Sequence, residues 1–270
     1  MRLGHVGAGT QAATPLHLVF RDGELEQTLS RLAYEVFGEH HTLDRANADV
    51  RLRLGRVENV EIPLLSHPTV EYAAAVASLP SLDTQGDGVR SFLGLALAIV
   101  TGQAQIVLID EPEAFLHPSQ ARALGRWLGI QASKRDIQIV VSTHNRDFVL
   151  GLLDGGIQSD IRIIRIARKG NINSFHELPP HEISATWNDP VLRYSNILQG
   201  LFHRKVAICE SDADCRFYGA VLDELAQETD RRSQADDVLL VPRGGKQRVS
   251  ALANAGGVTV CRRRSFLSVL

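Results

Sequence analysis

Two continuous apolar runs, each stopping abruptly in polar residues, constrain this chain more than any other feature. Residues 106–109 read Ile-Val-Leu-Ile and stop at Asp110-Glu111. Residues 137–141 are also mostly apolar and stop at Ser142-Thr143-His144. Runs this short and this apolar fit strands buried on both faces of a parallel sheet. Between them Pro118 opens a segment of helical length, at the first-turn position that proline tolerates. Strand, helix and strand in that order predict a parallel βαβ unit with a right-handed crossover. The expected fold class is therefore α/β.

The flanking segments are read in the same way. Residues 24–37 carry Leu25, Leu29, Leu32, Ala33 and Val36 at helical spacing, ended by Gly38. Residues 50–54 alternate as a short strand would. Gly86-Asp87-Gly88 precedes an apolar helix that runs through Val100. A helix after His144 runs to Asp154 and stops at Gly155-Gly156. Residues 161–167 and 172–178 flank Lys169-Gly170-Asn171 and predict a hairpin. Pro179-Pro180 marks a linker with a helical stretch near residues 191–201. A second βα pattern follows. Residues 206–209 form a strand ending in Glu210. Residues 212–228 form a helix with Phe217, Tyr218, Val221, Leu222 and Leu225 on one side. Residues 238–241 are a strand, 246–255 a helix and 258–261 a third strand. The expected organisation is a domain over 1–178, a linker over 179–203 and a second domain over 204–270.

Several classes are excluded. The net charge of −2 argues against a chain that is basic throughout and binds nucleic acid by charge alone. Three cysteines (Cys209, Cys215, Cys261) give neither a disulfide framework nor a zinc ribbon. The longest apolar stretch, residues 92–100, is far short of the roughly 20 residues that span a bilayer. Residues 1–10 are glycine-rich and lack the apolar run of a signal peptide. A cytoplasmic location and no membrane partner are expected.

The chemistry gathers at the strand ends, where open parallel sheets collect ligands. Asp110 suits Mg²⁺ on a nucleotide. Glu111 suits the polarising of an attacking water, and His144 suits a γ-phosphate contact. Gly86, Asp87, Gly88, Arg90 and Ser91 lie where a helix begins, and the glycines let backbone N–H groups approach phosphate. Each piece has an ordinary alternative: a solvated strand end, a lone surface histidine, a common turn. Their order on the expected elements is what favours the chemical reading.

These segments, Gln85-Gly86-Asp87-Gly88-Val89-Arg90-Ser91, Ile106 through Pro118, and Ser142-Thr143-His144-Asn145, resemble the ABC-type (AAA-like) ATPase domain of the overcoming-lysogenization-defect (OLD) family of nucleases. The resemblance implies a signature segment at 86–91 that caps ATP held by a partner subunit. It implies a Walker B pair at Asp110 and Glu111 and a switch histidine at His144. The chain departs from that pattern at the phosphate loop, G-x-x-x-x-G-K-[ST]. Only four lysines are present, Lys134, Lys169, Lys205 and Lys246, so none precedes position 134. The expectation is a partial ATPase sheet without the phosphate-loop unit, truncated at both ends, and weak ATP binding by the chain alone.

Ile208-Cys209-Glu210-Ser211-Asp212-Ala213-Asp214 looks like the opening of a Toprim domain, with Ser211 in the family's glycine position. That resemblance implies Glu210 as a metal ligand or general acid/base in phosphodiester chemistry, with Asp214 supporting the metal or the turn. The alternative is Asp212 as the N-cap of an amphipathic helix. The family's second carboxylate pair is missing, because no Asp or Glu follows Asp237. The resemblance as a whole implies an ATP- and Mg²⁺-dependent DNA endonuclease of phage defence, as a homodimer or with a completing chain, both of its sites being incomplete here. The alternatives are a non-catalytic DNA- or partner-binding module and a nonfunctional gene remnant.

Overall fold

The computed structural model describes residues 15–47, 50–58, 67–102, 104–188, 199–200, 202–203, 205–228, 238–242 and 258–259. The chain divides into two units, residues 1–156 and residues 157–270.

In the first unit, α1 (Pro15–Arg21) leads into α2 (Gly23–Phe37). The Asp22 carboxylate accepts the Glu24 and Leu25 N–H groups and starts α2. Gly38 ends it in the left-handed region at φ 74°, where a side chain would be strained. Strands β1 (His41–Asp44) and β2 (Arg51–Leu54) pair antiparallel, with His41 opposite Leu54. Buried Glu26 ties α2 to this hairpin. Its carboxylate accepts the Leu43 N–H at 2.8 Å and pairs with Arg45 at 2.6 Å, as a carboxylate withdrawn from water requires. Tyr72 on α3 (Val70–Ser78) donates its hydroxyl to the Leu43 carbonyl at 2.9 Å, and burial pushes its pKa up. His41 is buried without a partner at either ring nitrogen. Burial lowers its pKa to about 4.

The βαβ unit forms as expected. Helix α4 (Asp87–Thr101) is followed by β3 (Ile106–Asp110), α5 (Pro118–Arg135), β4 (Gln138–Ser142) and α6 (Arg146–Asp154). β3 and β4 pair parallel, with Ile106 opposite Gln138 and Asp110 opposite Ser142. The expectation of burial on both faces is corrected. Val107, Ile109, Ile139 and Val141 pack on a core that includes Phe92, Leu124, Leu128 and Phe148. Ile106, Leu108 and Val140 point the other way, and Leu108 is 75% exposed. Among the described residues nothing covers that second face, so an unbroken apolar run here serves a sheet packed on one side.

Helices α5 and α6 cross at glycine. A Cβ on Gly125 would stand 2.2 Å from the Phe148 carbonyl oxygen, and one on Gly151 would stand 2.0 Å from that of Arg122. Only hydrogen fits at either place. Arg122 and Asp154 clamp the same pair of helices with a 2.7 Å ion pair.

The second unit contains the expected hairpin, β5 (Ile163–Lys169) antiparallel to β6 (Ile172–Leu178), turning through Gly170 at φ 61°. Helix α7 (Pro180–Asn188) stands at the start of the stretch expected as linker, and most of the helical stretch expected near 191–201 lies outside the described residues. Pro180 opens α7, a position where its missing N–H costs nothing; residues 189–198 lie outside the described residues. Strand β7 (Lys205–Cys209), helix α8 (Asp212–Glu228), strand β8 (Val238–Pro242) and strand β9 (Val258–Thr259) complete the unit. The sheet order is β8-β7-β9, all parallel. The helix expected over 246–255 lies outside the described residues. Among the described residues no helix is long and apolar enough to cross a membrane.

Candidate functional site

The site is built where β3 and β4 end level with each other. The Ser142 hydroxyl donates to Asp110 Oδ1 across the pair. The parallel ladder runs one residue further, with the Glu111 N–H donating to the Ser142 carbonyl at 3.0 Å. The chain then turns sharply. Glu111 sits at φ 43° and Phe115 at φ 67°, both in the left-handed region that non-glycine residues rarely occupy. Two tight turns hold them, Ala114 N–H to Glu111 C=O and Leu116 N–H to Glu113 C=O, each 3.0 Å. Strain held this way is typical of functional sites, because the surrounding structure must enforce it.

The β4 side supplies the partners. His144 Nδ1 lies 3.1 Å from Glu111 Oε1 and 3.9 Å from Glu113 Oε1. Thr143 donates its hydroxyl to Glu113 Oε1 at 2.5 Å and accepts the Asn145 N–H at 3.0 Å. Asn145 caps α6 through the Phe148 N–H at 3.1 Å. His144 is thus fixed between a strand end and a capped helix start. Asp110, Glu111 and His144, singled out from sequence, come together. Glu113, Ser142 and Thr143 were quoted in the motifs but given no role. Their only sequence signal was position, one or two residues from a singled-out residue.

The Gly86–Ser91 segment reaches the same turn. A Cβ on Gly88 would lie 2.5 Å from the Phe115 carbonyl oxygen, so α4 begins in backbone contact with the turn after Glu111. Gly86 is the N-cap of α4 and makes no side-chain capping bond, which leaves first-turn N–H groups open. Asp87 and Arg90 pair at 3.2 Å on the exposed side of that turn. A cleft of about 440 Å³ opens beside Asp87, Arg90, Ser91 and Phe115, and Asp110, Glu111 and His144 are outside its lining.

A cation would find Asp110 suitable. Ser142 holds one of its oxygens, and the residue is exposed at the strand end. Among the described residues no group of three or more His, Cys, Asp and Glu is arranged as a complete metal site.

Glu210 stands exposed at the end of β7. The groups after it are engaged in starting α8. Ser211 N–H and Oγ donate to Asp214 Oδ2 at 2.9 and 2.8 Å, and Asp214 N–H donates back to Ser211 Oγ at 3.2 Å. This is a capping box with Ser211 as the cap. The alternative that had Asp212 as the cap is corrected: Asp212 is the first helical residue and pairs with Arg216 one turn on.

The profile of the family described as "AAA domain, putative AbiEii toxin, Type IV TA system" matches residues 58–151. An uncharacterised protein of Methanocaldococcus jannaschii, MJECL11, is 30% identical over 87 residues, which are 32% of this chain and 76% of that protein. Among solved structures, an SMC ATPase studied for ATP-driven dimerization and DNA-stimulated activation aligns at 13% identity and a TM-score of 0.41, covering 62% of this chain and 91% of that one. An Smc head domain from Pyrococcus furiosus, with an extended coiled coil and the C-terminal domain of ScpA, aligns at 12% identity and a TM-score of 0.43, covering 60% of this chain and 36% of that one.

Proposed function

Since this chain belongs to the AAA domain family through residues 58–151, we propose that its β3–β4 edge hydrolyses the γ-phosphate of Mg²⁺·ATP. The observation that carries the reading is the Glu111–His144 pair at 3.1 Å beside Asp110. Asp110 offers its free oxygen to Mg²⁺, which neutralises phosphate charge. Glu111 is the general base that orients and deprotonates water. His144 Nε2, the ring nitrogen turned away from Glu111, meets the γ-phosphate. The open first turn of α4, with Gly86, Asp87, Gly88, Arg90 and Ser91, reads phosphate through backbone N–H groups and the helix dipole.

The 270 residues contain no G-x-x-x-x-G-K-[ST] run. The phosphate loop is therefore supplied by a completing chain, and the chain alone, as a monomer or a homodimer, binds ATP weakly. The finer reading is an OLD-like ATPase coupled to DNA cleavage in phage defence, with 1–178 as the ATPase part, 179–203 as linker and 204–270 as a partial Toprim domain. It is supported by the parallel order β8-β7-β9, which sets Glu210 at the carboxyl end of the middle strand. Glu210 is then a metal-binding carboxylate, with Asp214 shaping the turn behind it.

The test is phosphate release from Mg²⁺·ATP, measured on the chain alone and mixed with a polypeptide carrying the missing loop. Turnover is expected on mixing and falls at least about 100-fold in Glu111→Gln. No turnover in any mixture contradicts the reading.

A further inference from the structure

Glu113 is the carboxylate of this edge that the roles above leave unused. Its side chain is 3% exposed, whereas those of Glu111 and His144 are 54% and 76% exposed. Thr143 holds Glu113 Oε1, and Oε2 is sealed from solvent without a hydrogen-bond partner. The oxygen of Glu113 that His144 approaches is Oε1, which already accepts from Thr143, and a carboxylate oxygen accepts more than one donor. His144 Nδ1 lies 3.9 Å from Glu113 Oε1 and 3.1 Å from Glu111 Oε1. An ionised carboxylate only accepts, so Nδ1 carries the proton in either pairing. In the observed pairing that proton occupies one of the two oxygens with which a general base at Glu111 takes up water.

We propose that Glu113 is a positioning residue, a second seat for the Nδ1–H of His144 that frees Glu111 to take up water. The proposal rests on the hydrolytic reading above. A swing of the exposed imidazole by about an ångström exchanges the two carboxylates, judged by the difference between the two distances. The Nδ1–H is kept throughout, and Nε2, an acceptor in the neutral ring, donates to a phosphate oxygen only when the ring carries its second proton. Thr143 keeps the Glu113 carboxylate from turning away. The buried carboxylate thereby sets which ring nitrogen faces phosphate.

The test reads the tautomer directly, by nitrogen NMR of the full chain labelled at histidine. The sample is held near pH 8. His144→Ala assigns the signals. Glu111→Ala is expected to keep the Nδ1–H tautomer, because Glu113 takes over. Glu111→Ala with Glu113→Ala is expected to lose it in favour of the Nε2–H form. Glu111→Ala with Glu113→Gln serves if the double alanine variant does not melt cooperatively. It keeps an acceptor for Thr143, supplies no negative oxygen, and is expected to show the same loss. Loss already in Glu111→Ala, or retention in the double variants, overturns the proposal. Phosphate release on the same samples judges the hydrolytic reading separately, since the tautomer is read without turnover.

Discussion

Two strand ends in this molecule look alike in sequence and differ in what surrounds them. β3 and β7 are both apolar strands in parallel pairings, and each delivers a carboxylate at its carboxyl end, Asp110-Glu111 in one case and Glu210 in the other. At β3 the neighbouring strand ends level, Asp110 opposite Ser142, and brings a hydroxyl, a second hydroxyl and an imidazole to the carboxylates. At β7 the described neighbour β8 sets Pro242 opposite Cys209, and Ser211 and Asp214 are spent on each other. The difference is one of partners. A carboxylate at a strand end acquires chemistry when an adjacent strand brings complementary groups to it. Among the described residues after β7, the carboxylate of Asp214 starts a helix instead.

The comparison breaks first at the core behind the β3 end. Gly151→Val forces a side chain into the Arg122 carbonyl and drives α5 from α6, whose capped start carries His144. A loss of at least about 3 kcal/mol is expected from overpacking against backbone, read as a lower thermal midpoint of the first unit. Acid is the next lever. The unfolded chain protonates His41 near the ordinary pKa of 6.5, while the folded chain resists until about 4. Stability is therefore intact above about pH 6.5 and falls as the pH drops toward 4, by up to roughly 3 kcal/mol. His41→Leu is expected to flatten that slope in denaturant titrations, because neither ring nitrogen has a partner to lose. The β7 end responds more weakly. Ser211→Ala removes one half of the capping box and costs about 1 kcal/mol, seen as fraying of α8 by hydrogen exchange. Smallest is Leu108→Thr on the uncovered face of β3. The stability change is expected within about 0.5 kcal/mol, and a larger loss would mean that something covers that face.

Much of the frame was legible because periodicity reports it. The apolar spacing and Gly38 marked α2, and Pro118 marked α5, close to their observed bounds. β1 escaped because His41-Thr42-Leu43-Asp44 has no alternation: all four residues are buried, Thr42 against the Gly55 carbonyl and Asp44 against Arg53. Hydropathy cannot register burial that depends on partners elsewhere in the chain. Leu108 misled for the opposite reason, since an apolar run looks the same whether one face or two are covered. At the site, Asp110, Glu111 and His144 were readable as strand-end residues. Glu113 was not, because its burial and its bond to Thr143 join positions 30 residues apart.

The most direct measurement places Mn²⁺, a paramagnetic substitute for Mg²⁺, on the full chain mixed with ATP and a polypeptide carrying the phosphate loop, and follows the chain's backbone amide signals. The account predicts ATP-dependent broadening at residues 110, 111 and 142–144, abolished by Asp110→Asn. Broadening confined to residues 210–214, or unchanged when ATP is omitted, would contradict it.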